Sequence, residues 1–370
     1  MPTQTASTHT PERLFLQGER ARQKSRFPEA LQLYRQARQA AKTAHSAEYE
    51  LYAQLGVGDC LRMMAQYGQA RQAYERAGRV AAQISDTEGG AESLAGIGLS
   101  QRARGNPERA LAYLSEARSL YRRTKVYSRE GFIVWAIGST YRFCGDLGKA
   151  LSHFKQALKL GQREGDTLGA GYALCGLGGA SRLMGRFPDT QHYYAEANAV
   201  FEVENDVYGR AYSYCGLGNA ARMRREYKVA LRLFGKAERL YMRIGDKASF
   251  AYTVWAMATV HKMLGDYERS TDIFRQAQHL FRETRDIRGS VYCGLGMGEL
   301  AFLQGKPKAA RARFVLCQDR AMRFGYYAEA CHAMACRTLT EVQPDWKAVK
   351  QAYRRCGLHF TPLPPPLNTP

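Results

Sequence analysis

The sequence predicts an all-α solenoid, a stack of helix-turn-helix units. Three observations carry that prediction. Small and aromatic residues recur with an unbroken period of 40 residues; within each period they fall at i, i+4 and i+7, one face of a helix; and in five of the periods a Gly/Pro breaker divides the unit in two. The first column runs Ala30, Ala70, Ala110, Ala150, Thr190, Ala230, Ser270, Ala310. Four residues on stand Tyr34, Tyr74, Leu114, Phe154, Tyr194, Phe234, Phe274 and Phe314, and three further on Ala37, Ala77, Ala117, Ala157, Ala197, Ala237, Ala277 and Cys317.

Residues 1–10 read as a flexible N-terminal segment. Eight repeats follow over 11–330, at 11–50, 51–90, 91–130, 131–170, 171–210, 211–250, 251–290 and 291–330. In each, helix A carries a Gly column (Gly18, Gly58, Gly98, Gly138, Gly178, Gly218, Ala258, Gly298) where it approaches a neighbour. A turn such as Gly105-Asn106-Pro107, Gly145-Asp146, Gly185-Arg186-Phe187-Pro188, Gly265-Asp266 or Gly305-Lys306-Pro307 ends it, with Gly closing one helix and Pro opening the next. Helix B bears the aromatic between two small residues. Asp86, Asp166, Asp206, Asp246 and Asp286 stand where the next helix A should begin and suit an N-cap. Two helices of about 15–18 residues fill the period. Past 330 the register decays; 331–358 reads as a degenerate repeat and C-terminal cap, with one more helix from Asp345 to Arg355 after Pro344. The Pro-rich tail, 359–370, is expected to be extended and loose.

This pattern resembles the tetratricopeptide repeat (TPR). Val134, Ile137, Gly138, Tyr141, Gly145, Leu147, Ala150, Phe154 and Ala157 match the family's spacing of Trp/Leu, Leu, Gly, Tyr, Gly, Tyr, Ala, Phe, Ala. The family's usual unit is 34 residues. The 40-residue unit looks like the subclass in G-protein-signalling modulators and kinesin light chains. The resemblance implies a right-handed superhelix whose A helices line a concave groove, and a scaffold for partners rather than a catalyst.

Composition narrows the function. The chain has 370 residues, with 54 Lys+Arg against 34 Asp+Glu and a formal charge of +20, which favours acidic partners and says nothing about fold. Hydrophobic content of 45% is too high for a disordered chain. No apolar run approaches 18 residues, so no membrane span is expected, and the opening residues lack the pattern of a secretory signal. The nine cysteines are odd in number and scattered, without a CxxC pair, and read as reduced thiols in a cytoplasmic protein. No His pair has zincin spacing, and no metal or cofactor is expected. Gly176-Leu177-Gly178-Gly179 and Gly294-Leu295-Gly296-Met297-Gly298 imitate dinucleotide loops but follow no strand and lie on the repeat's own Gly positions. Cys175 and Cys215 read as small apolar fillers.

The remaining signal lies in three columns of helix A. At its end stand Arg22, Arg62, Arg102, Arg142, Arg182, Arg222 and Lys262, before Phe302 breaks the run. Two physical reasons compete. A cation in the last turn offsets the helix dipole by roughly 0.3–1 kcal/mol. Alternatively, a ladder of guanidinium forks along the groove holds carboxylates or phosphates. At the start of helix A stand Tyr52, Glu92, Phe132, Tyr172, Tyr212, Tyr252 and Tyr292, either packing between repeats or a contact wall. Between them lie Trp135, Cys175, Cys215 and Trp255, and next to these Asp59, Ser139, Asn219, Thr259 and Glu299. In the resembling modulators an Asn at that last position helps hold acidic peptides; Asn219 alone matches it.

Three functions follow. The first is a non-catalytic adaptor whose basic, Tyr/Trp-containing groove binds an acidic peptide or protein segment. The second is a single-stranded RNA or other nucleic-acid binder. The third is a small-molecule-sensing or pathway accessory protein.

Overall fold

The computed structural model describes residues 10–24, 26–358 and 367–368. Among them are eighteen α-helices and no strand: α1 (Pro11–Gln23), α2 (Phe27–Thr43), α3 (Ala47–Met63), α4 (Tyr67–Gln83), α5 (Thr87–Ala103), α6 (Pro107–Thr124), α7 (Tyr127–Phe143), α8 (Leu147–Glu164), α9 (Thr167–Leu183), α10 (Phe187–Val203), α11 (Val207–Met223), α12 (Tyr227–Ile244), α13 (Lys247–Met263), α14 (Tyr267–Glu283), α15 (Ile287–Leu303), α16 (Pro307–Arg323), α17 (Tyr327–Thr338) and α18 (Trp346–Arg355). Odd-numbered helices are the A helices, even-numbered the B helices. The chain is an all-α solenoid of consecutive packed helix pairs, and it forms two compact units, Met1–Ala136 and Ile137–Pro370.

The helices start where the cap signals lie. Asp86 Oδ1 accepts the Gly89 N–H at 2.8 Å, Asp166 that of Gly169 at 2.8 Å, Asp246 that of Ser249 at 3.0 Å and Asp286 that of Gly289 at 2.8 Å. Asp206 caps Gly209 in the same way. These caps correct the repeat boundaries. From α3 onward the A helices begin four residues before 51, 91, 131 and their successors, so those boundaries fall inside helices. The chain's register is set by the cap and not by the first apolar residue. Asp146, Asp266 and Asp345 cap B helices likewise, which the column of A-helix caps did not suggest.

The A-to-B turn needs a residue in the left-handed region. Gly105, Gly145, Gly185, Gly265 and Gly305 take it with φ of 80°, 79°, 77°, 82° and 72°. In the equivalent place Ala65 has φ 59° and Arg225 φ 66°, which strains an L side chain. Replacing Ala65 with Gly is therefore expected to stabilise the first unit by roughly 0.5–1 kcal/mol, read as a higher denaturant midpoint. A lower midpoint would mean that the entropy Gly adds to the unfolded chain outweighs the relieved strain.

The aromatic of each B helix is a clamp between successive A helices. Tyr34, Leu114, Phe154, Phe234, Phe274 and Phe314 are fully buried, Tyr74 and Tyr194 nearly so. A Cβ built on Gly18 would lie 2.8 Å from the Tyr34 ring, and one on Gly56, in the next A helix, 2.7 Å. Phe154 is held in the same way between Gly138 and Gly176, and Tyr194 between Gly178 and Gly216. This second Gly column (Gly56, Gly96, Gly176, Gly216, Gly296) is a repeat in its own right in the sequence. It also explains the imitation dinucleotide loops. Gly176 and Gly178 each make room for an aromatic ring, as do Gly296 and Gly298.

The last helices of the second unit pack inward. α17 is only 12 residues long, and α18 follows its cap at Asp345. Ala328, Cys331 and Ala335 of α17 and Val349 and Tyr353 of α18 form one buried cluster with Leu147, at the start of α8, and Leu183, at the end of α9. The C-terminal helices thus cover apolar side chains of earlier repeats within their unit.

Candidate functional site

The end-of-helix basic column is best followed through its neighbours. The carboxylates that meet it stand either three residues before it on the same helix or 37 after it on the next A helix. In the first unit Arg22 is held by Glu19 at 2.6 Å, and Tyr34 Oη donates to the same carboxylate. The hydrogen bond from Arg22 to Glu19, against the opposing pull of burial, raises the Arg22 pKa. Arg62 lies 3.5 Å from Asp59 and reaches Tyr74 Oη at 3.3 Å, while Tyr74 donates to Asp59 at 2.6 Å. Arg22 and Arg62 open onto a cleft of about 870 Å³. Its walls carry Glu19, Asp59, Asp86, Glu88 and Glu92 against Arg22, Arg62 and Arg129. Burial holds the Glu92 carboxyl above its usual range even with Arg129 3.5 Å away. The cleft is therefore net acidic. This corrects the expectation of a continuous basic groove: in the first unit two rungs of the ladder are already paired, and the carboxylates outnumber them.

In the second unit the far end is also tied up. Lys262 is buried in an ion pair with buried Glu299, one repeat on. Arg288 and Glu329 form a second buried pair, with Arg288 Nε 2.6 Å and Tyr292 Oη 2.8 Å from Glu329 Oε1.

Arg142, Arg182 and Arg222 differ. The positions flanking them are Ser139, Gly179, Asn219 and Thr259, none of them acidic. A Cβ at Gly179 would overlap the Arg142 guanidinium, so the missing side chain is what admits it. Arg142 Nε and Arg182 Nη1 are buried without a hydrogen-bond partner among the described residues. Arg222 is wholly buried; its Nε and Nη2 donate to Asn219 Oδ1 at 3.3 and 3.1 Å, and the Trp255 ring stands 5.5 Å from its guanidinium. Burial, then the charge of Arg182, presses the Arg222 pKa down. Three guanidiniums thus gather in one stretch of the second unit. Arg102 belongs to the first unit and is half-buried.

The tyrosine column serves packing. Tyr172 Oη donates to Asp206 at 2.8 Å, bracing the cap of the following A helix, and its ring meets Phe201 with centroids 4.9 Å apart. Tyr252 meets Phe281 edge-on with centroids 4.8 Å apart, and Tyr292 spends its hydroxyl on Glu329. Tyr52 donates to Glu48 at 3.0 Å; Tyr212 meets Tyr194 edge-on at 6.2 Å. Trp255 is buried and donates Nε1–H to the Tyr292 carbonyl at 3.1 Å, so it is no open contact surface. Trp135, in the first unit, stacks on exposed Phe132 with centroids 5.9 Å apart. Cys175 is buried, and Thr253 Oγ1 lies 3.6 Å from Cys215 Sγ, in keeping with small fillers.

Residues 359–366 and 369–370 lie outside the described residues. Asn368, however, is buried, and it receives a hydrogen bond from Arg222 Nη1. No sequence signal pointed to it.

Residues 51–123 match the family model described as Tetratricopeptide repeat. That stretch is of the tetratricopeptide type. TPR solenoids are also what the chain resembles among solved structures, all at identities that speak for fold alone. One is a Rap protein complexed with Competence and Sporulation Factor (TM-score 0.61, 10% identity, covering 94% of this chain and 98% of that one). Another is the Rap conjugation gene regulator of plasmid pLS20 in complex with the Phr* peptide (TM-score 0.66, 14% identity, 87% and 98%). A third is NprR in complex with its cognate peptide NprX (TM-score 0.63, 13% identity, 93% and 97%). No curated protein matches the sequence. Among the described residues no helix is long and apolar enough to cross a membrane, and no three His, Cys, Asp or Glu gather as metal ligands.

Proposed function

We propose that the chain is a non-catalytic TPR scaffold, and that its second unit holds a peptide or protein segment through an acidic side chain or terminus. One observation carries the acidic reading. Arg142 and Arg182 each keep a buried guanidinium nitrogen without a hydrogen-bond partner among the described residues, while Arg22, Arg62 and Lys262 are already matched by Glu19, Asp59 and Glu299. A buried N–H left unsatisfied costs about 1–3 kcal/mol, more when charged, so a ligand that accepts from both gains that much on binding. Carboxylates suit this role because they accept two parallel bonds from a guanidinium. The similar structures that hold peptides support the reading at the level of fold.

A random twelve-residue peptide library panned against the chain tests it. Enriched peptides are expected to carry Asp or Glu, and their affinity to fall at least about tenfold when Arg142 and Arg182 are both changed to Gln. Enrichment of peptides without acids overturns the acidic reading. No enrichment at all overturns the scaffold.

A further inference from the structure

Arg222 lies deep in the second unit and is held like part of a built site. Asn219 Oδ1 orients the guanidinium through two hydrogen bonds, and Asn219 is itself fixed by donating to the Cys215 carbonyl at 3.0 Å. The Trp255 ring flanks the guanidinium. Against this stands Asn368, 146 residues away in sequence and only 5% exposed. Both ends of its carboxamide are engaged: Oδ1 accepts from Arg222 Nη1, and Nδ2 lies 3.5 Å from the Arg222 carbonyl oxygen. That carbonyl also receives the Arg225 N–H at 3.0 Å, so the amide uses its second lone pair. Donor meeting acceptor at both ends is the signature of a primary amide; an aliphatic side chain offers neither half.

We propose that Arg222 forms a subsite that reads a primary carboxamide on an extended peptide, and that the chain's own C-terminal segment occupies it through Asn368 until an incoming peptide displaces it. The proposal rests on the reading of the second unit as a peptide holder. A segment tethered in cis competes at an effective concentration that reaches millimolar, so the free chain keeps this subsite closed to weak ligands. The partner it fits is a peptide with Asn or Gln at the position that meets Arg222.

The probe is a fluorescent synthetic peptide with the sequence of residues 359–370, added to the full-length chain and to full-length Asn368→Ala. The Asn368→Ala chain is expected to bind it at least about tenfold more tightly than the unaltered chain, because its own competitor has lost a charge-assisted hydrogen bond. Changing the probe's own Asn to Ala is expected to reduce its affinity by a similar factor. Phenylglyoxal modification, mapped by mass spectrometry at a temperature well below the thermal midpoint of both chains, is expected to reach Arg222 faster in Asn368→Ala. Equal probe affinity for the two chains, or equal Arg222 modification, overturns the proposal. If that happens while library peptides still depend on Arg142 and Arg182, the scaffold reading stands and the tail reading falls. If Arg222 is released in Asn368→Ala but no library peptide binds, the tail contact stands and the scaffold reading falls.

Discussion

Replacing Glu329 with Ala is expected to destabilise the second unit by about 3–5 kcal/mol, because it leaves the Arg288 guanidinium buried without its partner. Glu329 is fully buried, and its Oε1 takes bonds from Arg288 at 2.6 Å and from Tyr292 at 2.8 Å. Burial alone would raise its pKa; the Arg288 charge and the Tyr292 hydroxyl outweigh burial and hold it below the usual carboxylate range. The group therefore contributes stability above its unfolded pKa of about 4.3, and that contribution is lost as the pH falls through the lower folded value. Urea unfolding at neutral pH reads the loss as a lower midpoint at constant slope. Converting both partners, Glu329→Leu with Arg288→Met, should recover much of it, since two apolar side chains leave no stranded charge. A loss under about 1 kcal/mol for Glu329→Ala would show that water reaches the pair.

His332 governs a separate pH window. It is buried, its Nδ1 lies 2.9 Å from Tyr353 Oη, and burial takes its pKa down to about 4. Burial, helped by Arg182 and Arg288, outweighs the upward pull of Glu329 and Glu299. The folded state keeps the ring neutral, whereas the unfolded chain takes up a proton below about 6.5. Stability is thus fully present above pH 6.5 and is lost as the pH falls from there to about 4, at up to ~1.4 kcal/mol per unit. Between pH 7 and 4.5 the group accounts for roughly 2–3 kcal/mol. His332→Gln is expected to flatten the acid limb of the stability profile by that amount and to leave the steeper fall below pH 4.3 in place. An unchanged limb would mean that His332 titrates normally, and so is exposed in solution. His332 continues the tyrosine column one repeat past Tyr292, and the sequence carried that sign.

Much of the fold was legible because its causes are local. A cap such as Asp166 acts on Gly169, three residues away, and a breaker such as Gly145 acts on its own turn. The aromatic clamp needs only the next repeat, which a 40-residue period makes visible. The site was legible in part. The basic column was found, but a column of like residues looks uniform in sequence while each member has a different neighbour. Arg62 finds Asp59 on its own helix, Lys262 finds Glu299 one repeat on, and Arg142 finds the gap left by Gly179. The boundaries at 51 and 91 missed because apolar periodicity does not say on which turn a helix starts; the capping hydrogen bond does.

The sequence by itself determined that this chain is an all-α solenoid of helix-turn-helix repeats, with its helices, turns and clamped aromatics, since those depend on interactions within a repeat or between adjacent ones. Tertiary structure alone decided which cations remain available. That depends on groups brought together from distant parts of the chain: Arg288 with Glu329, 41 residues on, and Arg222 with Asn368, 146 residues on. Such contacts leave no periodic mark, because they are made once, where the chain folds back on itself, and not in every repeat.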